Sequence, residues 1–169
     1  MPEQDTSRDT REMDLTSIAP FYKGWDNYQR MLVEAVAPLT DAQLALQAAP
    51  NLRPAWVLAA HIIAARASWL HRRLGEGRAA LLAYLPWDDD SEPQRGAAEL
   101  VSGLDATWAV IADCLNRWTP ADLEGVVQHP VHGPLTRQWI LWHLIEHDLH
   151  HGGELFFTLG MHGLPTPEL

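Results

Sequence analysis

Ile18, Phe21, Trp25, Tyr28 and Leu32 step along the chain by three and four residues, the spacing that lines apolar side chains along one stripe of an α-helix. Three further segments repeat that period. One starts near Pro54, whose fixed φ suits a first helical turn, and runs to Gly75 through a stretch rich in Ala, Ile, Leu and Trp. Another carries Val101, Leu104, Trp108, Ile111, Cys114/Leu115 and Trp118 as a heptad-like seam, with Ser91-Glu-Pro-Gln94 ahead of it in capping-box order. The last begins after Thr136 and ends near Gly160. Four such helices and no convincing strand pattern predict an all-α fold, a four-helix bundle.

The connections refine this. Residues 1–13 are polar and predict a flexible N-terminal tail, which leaves 14–169 as a single domain. A chain of 169 residues suffices for one core. TDAQL, at 40–44, predicts a short helical turn started by Thr40, and TPADL, at 119–123, echoes it from Thr119. QHPVHGPLT then suggests a small hairpin or an extended loop. Between the second and third helices lies GEGRAALLAYLPWDDDSEP, a crossover long enough to traverse a bundle and leave those two helices parallel.

Charge removes some functions from consideration. The net charge of −10 opposes binding to a nucleic-acid backbone, which needs a basic face, and opposes anionic membrane surfaces. Arg66, Arg72, Arg73 and Arg78 read as solvated charges at a helix end. No apolar stretch reaches the ~18 residues of a membrane span. The N-terminal residues lack the apolar run of a secretory signal, and Cys114 is the sole cysteine, which suits a reducing compartment. The expected location is cytoplasmic. Cys114 itself, on the apolar seam, reads as a small core residue.

The fourth helix poses a separate question. WHLIEHDLHHGGEL, residues 142–155, holds four of the nine histidines, and His143, His147 and His151 recur at i, i+4 and i+8. Imidazole pairs at i, i+4 chelate metal ions. One ion cannot reach all three, because the outer two lie about 12 Å apart along the axis. The pair is therefore 143/147 or 147/151, completed from another helix. His61, on an otherwise apolar segment, is the obvious donor, since several buried imidazoles without a shared ion leave nitrogens unsatisfied. Ile140, Leu144, Phe157 and the stripe through 147, 151, 154 and 158 are expected to face inward, with Glu146, Asp148 and His150 turned to solvent. Three neutral histidines leave coordination positions open, as at a catalytic metal. Zinc and nickel suit imidazole best.

His147-Asp-Leu-His-His151-Gly-Gly-Glu154, with a lone histidine on the second helix, resembles the DinB-like superfamily of DinB/YfiT-type metal-binding four-helix bundles, related to thiol-dependent S-transferases. The resemblance spans Ile18 to Gly163. It implies His61, His147 and His151 as the metal triad, an up-down-down-up bundle and a homodimer. It also implies a low-molecular-weight thiol (bacillithiol, mycothiol or glutathione) as cosubstrate. The chain departs from the family's usual HHRGQ ending, having His150-His151-Gly152-Gly153-Glu154 instead. That removes a cation and adds a carboxylate.

Two reactions on a small-molecule substrate follow as expectations. The metal activates a thiol for S-transfer, or a water for hydrolysis. Hydrolysis needs a general base, for which His143 and Glu154 are the candidates. Thiol transfer needs a cofactor groove, for which Tyr84 and Trp87 on the crossover offer one wall. A non-catalytic metal- or ligand-binding stress-response bundle is the alternative, and a haem-binding bundle held by facing histidines a third.

Overall fold

The computed structural model describes residues 17–89 and 91–168, so the tail expected at 1–13 lies outside the described residues. A short 3₁₀ turn, Ala19–Tyr22, leads into α1, Lys23–Val36. After α2, Asp41–Leu44, and a loop comes α3, Ala55–Ala67, whose hydrogen bonding widens to a π-helical stretch over Ser68–Leu74. The crossover forms α4, Arg78–Leu81, with a 3₁₀ turn at Leu82–Tyr84, and leads to α5, Ala97–Arg117. A 3₁₀ turn at Pro120–Glu124 and the strands β1, Val126–His129, and β2, Gly133–Thr136, precede α6, Arg137–Met161. The chain is mostly helical, as its periodicity predicts. The antiparallel hairpin, with Val126 opposite Thr136 and His129 opposite Gly133, is the one departure from an all-α fold among the described residues.

Local chemistry sets most boundaries. Thr40 accepts the Gln43 amide while Gln43 Oε1 accepts the Thr40 N–H at 2.9 Å. Thr119 and Asp122 repeat that reciprocal cap, and Thr136 Oγ1 accepts the Trp139 N–H at the start of α6. Side-chain oxygens satisfy amide donors that a helix start leaves free. Ser91 does not cap α5, contrary to its sequence signature. Its N–H and hydroxyl both donate to Asp89 Oδ1, and α5 is capped instead at Gly96, whose N–H donates to Glu99. The proline two residues after Ser91 disfavours helical backbone at Glu92.

Helices α1, α3, α5 and α6 enclose the core, with α3 packed on both α5 and α6 and α1 packed on the same two. Contacts define their relative directions. Trp25 and Gln29 of α1 meet Trp108 and Asp105 of α5 in reversed order. Arg66 of α3 meets Leu104 and Thr107 of α5, while Ile63 abuts Gly103.

The centre of the fold is not wholly apolar. Arg66 and Asp148 are both fully buried. Arg66 Nη2 donates to Asp148 Oδ2 at 2.6 Å and Nε to Oδ1 at 3.0 Å. Trp25 Nε1 donates to the same carboxylate at 2.7 Å, and Gln29 Oε1 accepts from Arg66 Nη1 at 2.7 Å. This corrects two expectations at once: Arg66 is no solvated helix-end charge, and Asp148 does not face solvent. Phe157, expected to face inward, is 62% exposed. The true core stripe of α6 runs through Leu144, Asp148, Gly152, Leu155 and Leu159, one step around the helix from the histidines. Among the described residues, no helix is long and apolar enough to cross a membrane.

Candidate metal centre

The histidines sit at the edge of that core stripe, half-buried where α3 and α6 cross. One nitrogen from each of His61, His147 and His151 lies within 4.8 Å of the others. His61 Nε2 and His147 Nε2 are 3.1 Å apart. The His151 ring lies 4.5 Å, centre to centre, from each of the other two. Of the two pairs that sequence spacing left open, 147/151 is therefore the one gathered around His61.

The outer sides of two rings are held by carboxylates. His61 Nδ1 lies 2.5 Å from Asp88 Oδ1 and His151 Nδ1 lies 2.7 Å from Glu154 Oε2. A carboxylate accepts only, so each Nδ1 carries a proton, and in the neutral ring that tautomer leaves Nε2 with its lone pair. Metal-binding histidines are oriented in this way.

His147 lies between them. Burial, then the neighbouring His151 and His61, pushes its pKa down to about 3, and burial lowers His151 as well. Protons therefore compete poorly for these nitrogens near neutral pH, as a metal site requires. Without a cation, His147 must donate Nε2–H to His61 to avoid opposing lone pairs, which leaves its buried Nδ1, already without a partner, as a bare acceptor. With a cation, both Nε2 atoms act as donors to it and Nδ1 keeps the proton. The donor set fits a divalent ion bound through three neutral imidazoles.

Glu154 touches His151 rather than standing across from it, and its other oxygen lies 3.6 Å from the exposed His150. His143 is no part of the triad. Its ring stacks on Trp139 at 5.1 Å and 13°, meets Trp69 edge-on and lies 6.1 Å from His147. Burial lowers its pKa. His129 of β1 stacks on Trp69 in turn, so the hairpin extends the row of rings leading away from the triad. Trp87 is buried against Gly103, with the Arg95 guanidinium over its ring. It also lines a cavity of about 180 Å³ shared with Asp88. Tyr84 packs edge-on against Trp87 and into the core. Sequence reasoning missed Asp88. Its signal was there in the acidic run after Trp87, but only the fold brings the crossover over α3.

The family model of the DinB superfamily matches residues 25–155. A DinB-like protein from Bacillus cereus superposes with a TM-score of 0.72 at 23% identity, over 91% of this chain and 98% of that one. A DinB-like protein from Bacillus subtilis gives 0.61 at 17%, over 88% and 96%. A conserved protein from Enterococcus faecalis gives 0.61 at 18%, over 86% and 96%. No curated protein matches.

Proposed function

This chain belongs to the DinB superfamily, and on that premise we propose that it is a metal-dependent enzyme, a thiol S-transferase acting on a small electrophile. The single observation that carries the reading is the three-histidine cluster backed by Asp88 and Glu154. A zinc or nickel ion held by His61, His147 and His151 would act as a Lewis acid that favours the ionised form of a thiol or water.

The chain's own groups divide the remaining work. Asp88 and Glu154 are positioning residues, each fixing the tautomer and ring plane of one ligand. His143, neutral through burial, is the proposed acceptor of the thiol proton at Nε2, because its Nδ1 faces Glu146 at 3.9 Å. Trp87, on the cavity shared with Asp88, and Tyr84 behind it form the proposed cofactor wall. Glu154 is engaged by His151 and is not free to act as base, which leaves His143 as the proposed base for thiol transfer and equally for the hydrolytic alternative.

The same reading makes α1, α3, α5 and α6 an up-down-down-up four-helix bundle, supported by the reversed pairing of α1 with α5 and the pairing of α3 with α5 in the same sense. It also makes the chain a cytoplasmic homodimer with no nucleic-acid or membrane partner. Phe21 and Leu149 are 64% and 49% exposed around a groove of about 340 Å³, an apolar surface suited to a second copy.

The test is consumption of a low-molecular-weight thiol with a panel of small electrophiles, alongside ester hydrolysis, by zinc- and nickel-loaded protein. Thiol adduct formation lost in His147→Ala supports the reading. Hydrolysis without thiol dependence would replace transfer with the hydrolase, and metal retention without turnover of either kind would leave a binding bundle.

A further inference from the structure

Arg53 lies on the loop between α2 and α3, immediately before Pro54. That loop is braced. Gln47 Nε2 donates to the Leu52 carbonyl at 2.6 Å, Leu52 N–H donates to the Ala49 carbonyl at 3.0 Å, and His162, just beyond α6, lies 2.8 Å from the Gln47 carbonyl through Nε2. Among the described residues Arg53 has no ion-pair or hydrogen-bond partner of its own. Its surroundings are what single it out. Arg53 lines a cavity of about 270 Å³ together with His151 and Glu154, and also the smaller one that contains Asp88 and Asp89. Among the described residues it is the one Arg or Lys lining either cavity. The larger cavity is otherwise largely apolar, with Leu58 at its base and Leu52 and Phe157 at its rim, 49% and 62% exposed.

We propose that this cavity is the substrate site, and that it takes a small molecule with an apolar body and one carboxylate, which Arg53 clamps while the opposite end faces His151. The proposal rests on the metal-dependent reading above and adds the substrate's chemical class. A guanidinium fork matches a carboxylate bidentately. Glu154 on one side and Asp88 and Asp89 on the other make a monoanion preferable to a phosphate dianion, because each added negative charge meets theirs. Leu52, Leu58 and Phe157 gain by covering an apolar body. The braced loop fixes the backbone that carries the clamp.

The experiment is an NMR titration of zinc-loaded full-length protein with hexanoate, hexanamide and hexyl phosphate, repeated on Arg53→Gln and Arg53→Lys, with metal content measured on every sample. Hexanoate is expected to bind saturably and tighter than the other two. Arg53→Gln is expected to weaken it about tenfold, as loss of a charged hydrogen-bonding partner does, with Arg53→Lys in between and zinc unchanged in both. Three results would overturn the proposal: unchanged hexanoate affinity in Arg53→Gln, equal or tighter binding of hexyl phosphate, and no saturable binding at all. The titration is also run on metal-free protein. Failure to load zinc would defeat the metal reading, and Arg53-dependent binding of hexanoate to the metal-free chain would show the clamp standing apart from it.

Discussion

Arg66 of α3 and Asp148 of α6 meet through three charge-assisted hydrogen bonds, one N–H shared between both oxygens, in the fully buried centre of the fold. Asp148 also receives Trp25 of α1, and Arg66 also reaches Gln29 of α1 and Thr107 of α5. One polar network thus touches all four long helices. His147 precedes Asp148 in sequence, so the register that seats the ion pair also seats the histidine.

Removing one member strands the other charge in an apolar centre. Arg66→Met and Asp148→Leu are each expected to lower unfolding free energy by about 3–5 kcal/mol, whereas the double variant recovers much of that loss. Urea unfolding of the two single variants and the double checks it. Additive losses would show that the pair does not act as a unit.

Gly152 lies on the core stripe of α6, and a Cβ there would stand 2.4 Å from the Tyr28 hydroxyl. That hydroxyl donates to the Leu149 carbonyl. Gly152→Ala is expected to cost about 1–3 kcal/mol through overpacking, and Tyr28→Phe in the same chain to restore part of it. Thermal unfolding of the single and double variants reads both effects.

The long helices were legible in the sequence because their apolar residues keep a 3.6-residue period, and the threonines at 40, 119 and 136 mark their own caps. The histidines were legible by spacing, since i and i+4 fall on one face. The error on α6 was one step of rotation. Leu144, Gly152, Leu155 and Leu159 define the core stripe with Asp148 in its middle, but a charged residue does not announce burial when its partner lies on another helix. Asp88 was hidden for a related reason. Its role depends on where a long crossover lands, which no local pattern encodes. Ser91 misled because a capping signature requires a helical backbone after it, and Pro93 denies that.

Asp88 and Glu154 act through the rings they hold. Asp88→Asn and Glu154→Gln are expected to weaken metal affinity by about 10–100-fold while leaving the folded state in place. Competition with a chelator, with circular dichroism on the same samples, measures this. Affinity equal to wild type would assign both carboxylates to the surface.

Cys114 is buried, and burial, with Glu76 next in effect, pushes its thiol up to about 12. The native chain therefore holds almost no thiolate at pH 8, and alkylation there is expected to be slow until denaturant is added. The unfolded thiol ionises near its ordinary pKa and the native one does not, so this contribution to stability is complete below about pH 8.5 and is lost as pH rises toward 12. Iodoacetamide labelling with and without urea checks the reactivity, and rapid labelling of folded protein would contradict it.

The central claim is that His61, His147 and His151 share one ion. The direct measurement is elemental analysis of protein purified without a metal-affinity tag, as wild type and as His61→Ala, His147→Ala and His151→Ala, before and after dialysis against zinc or nickel. The account predicts one zinc or nickel ion per wild-type chain and loss of that ion in each variant. Wild-type protein that holds no metal and takes up none, or full metal content in any of the three variants, would contradict it.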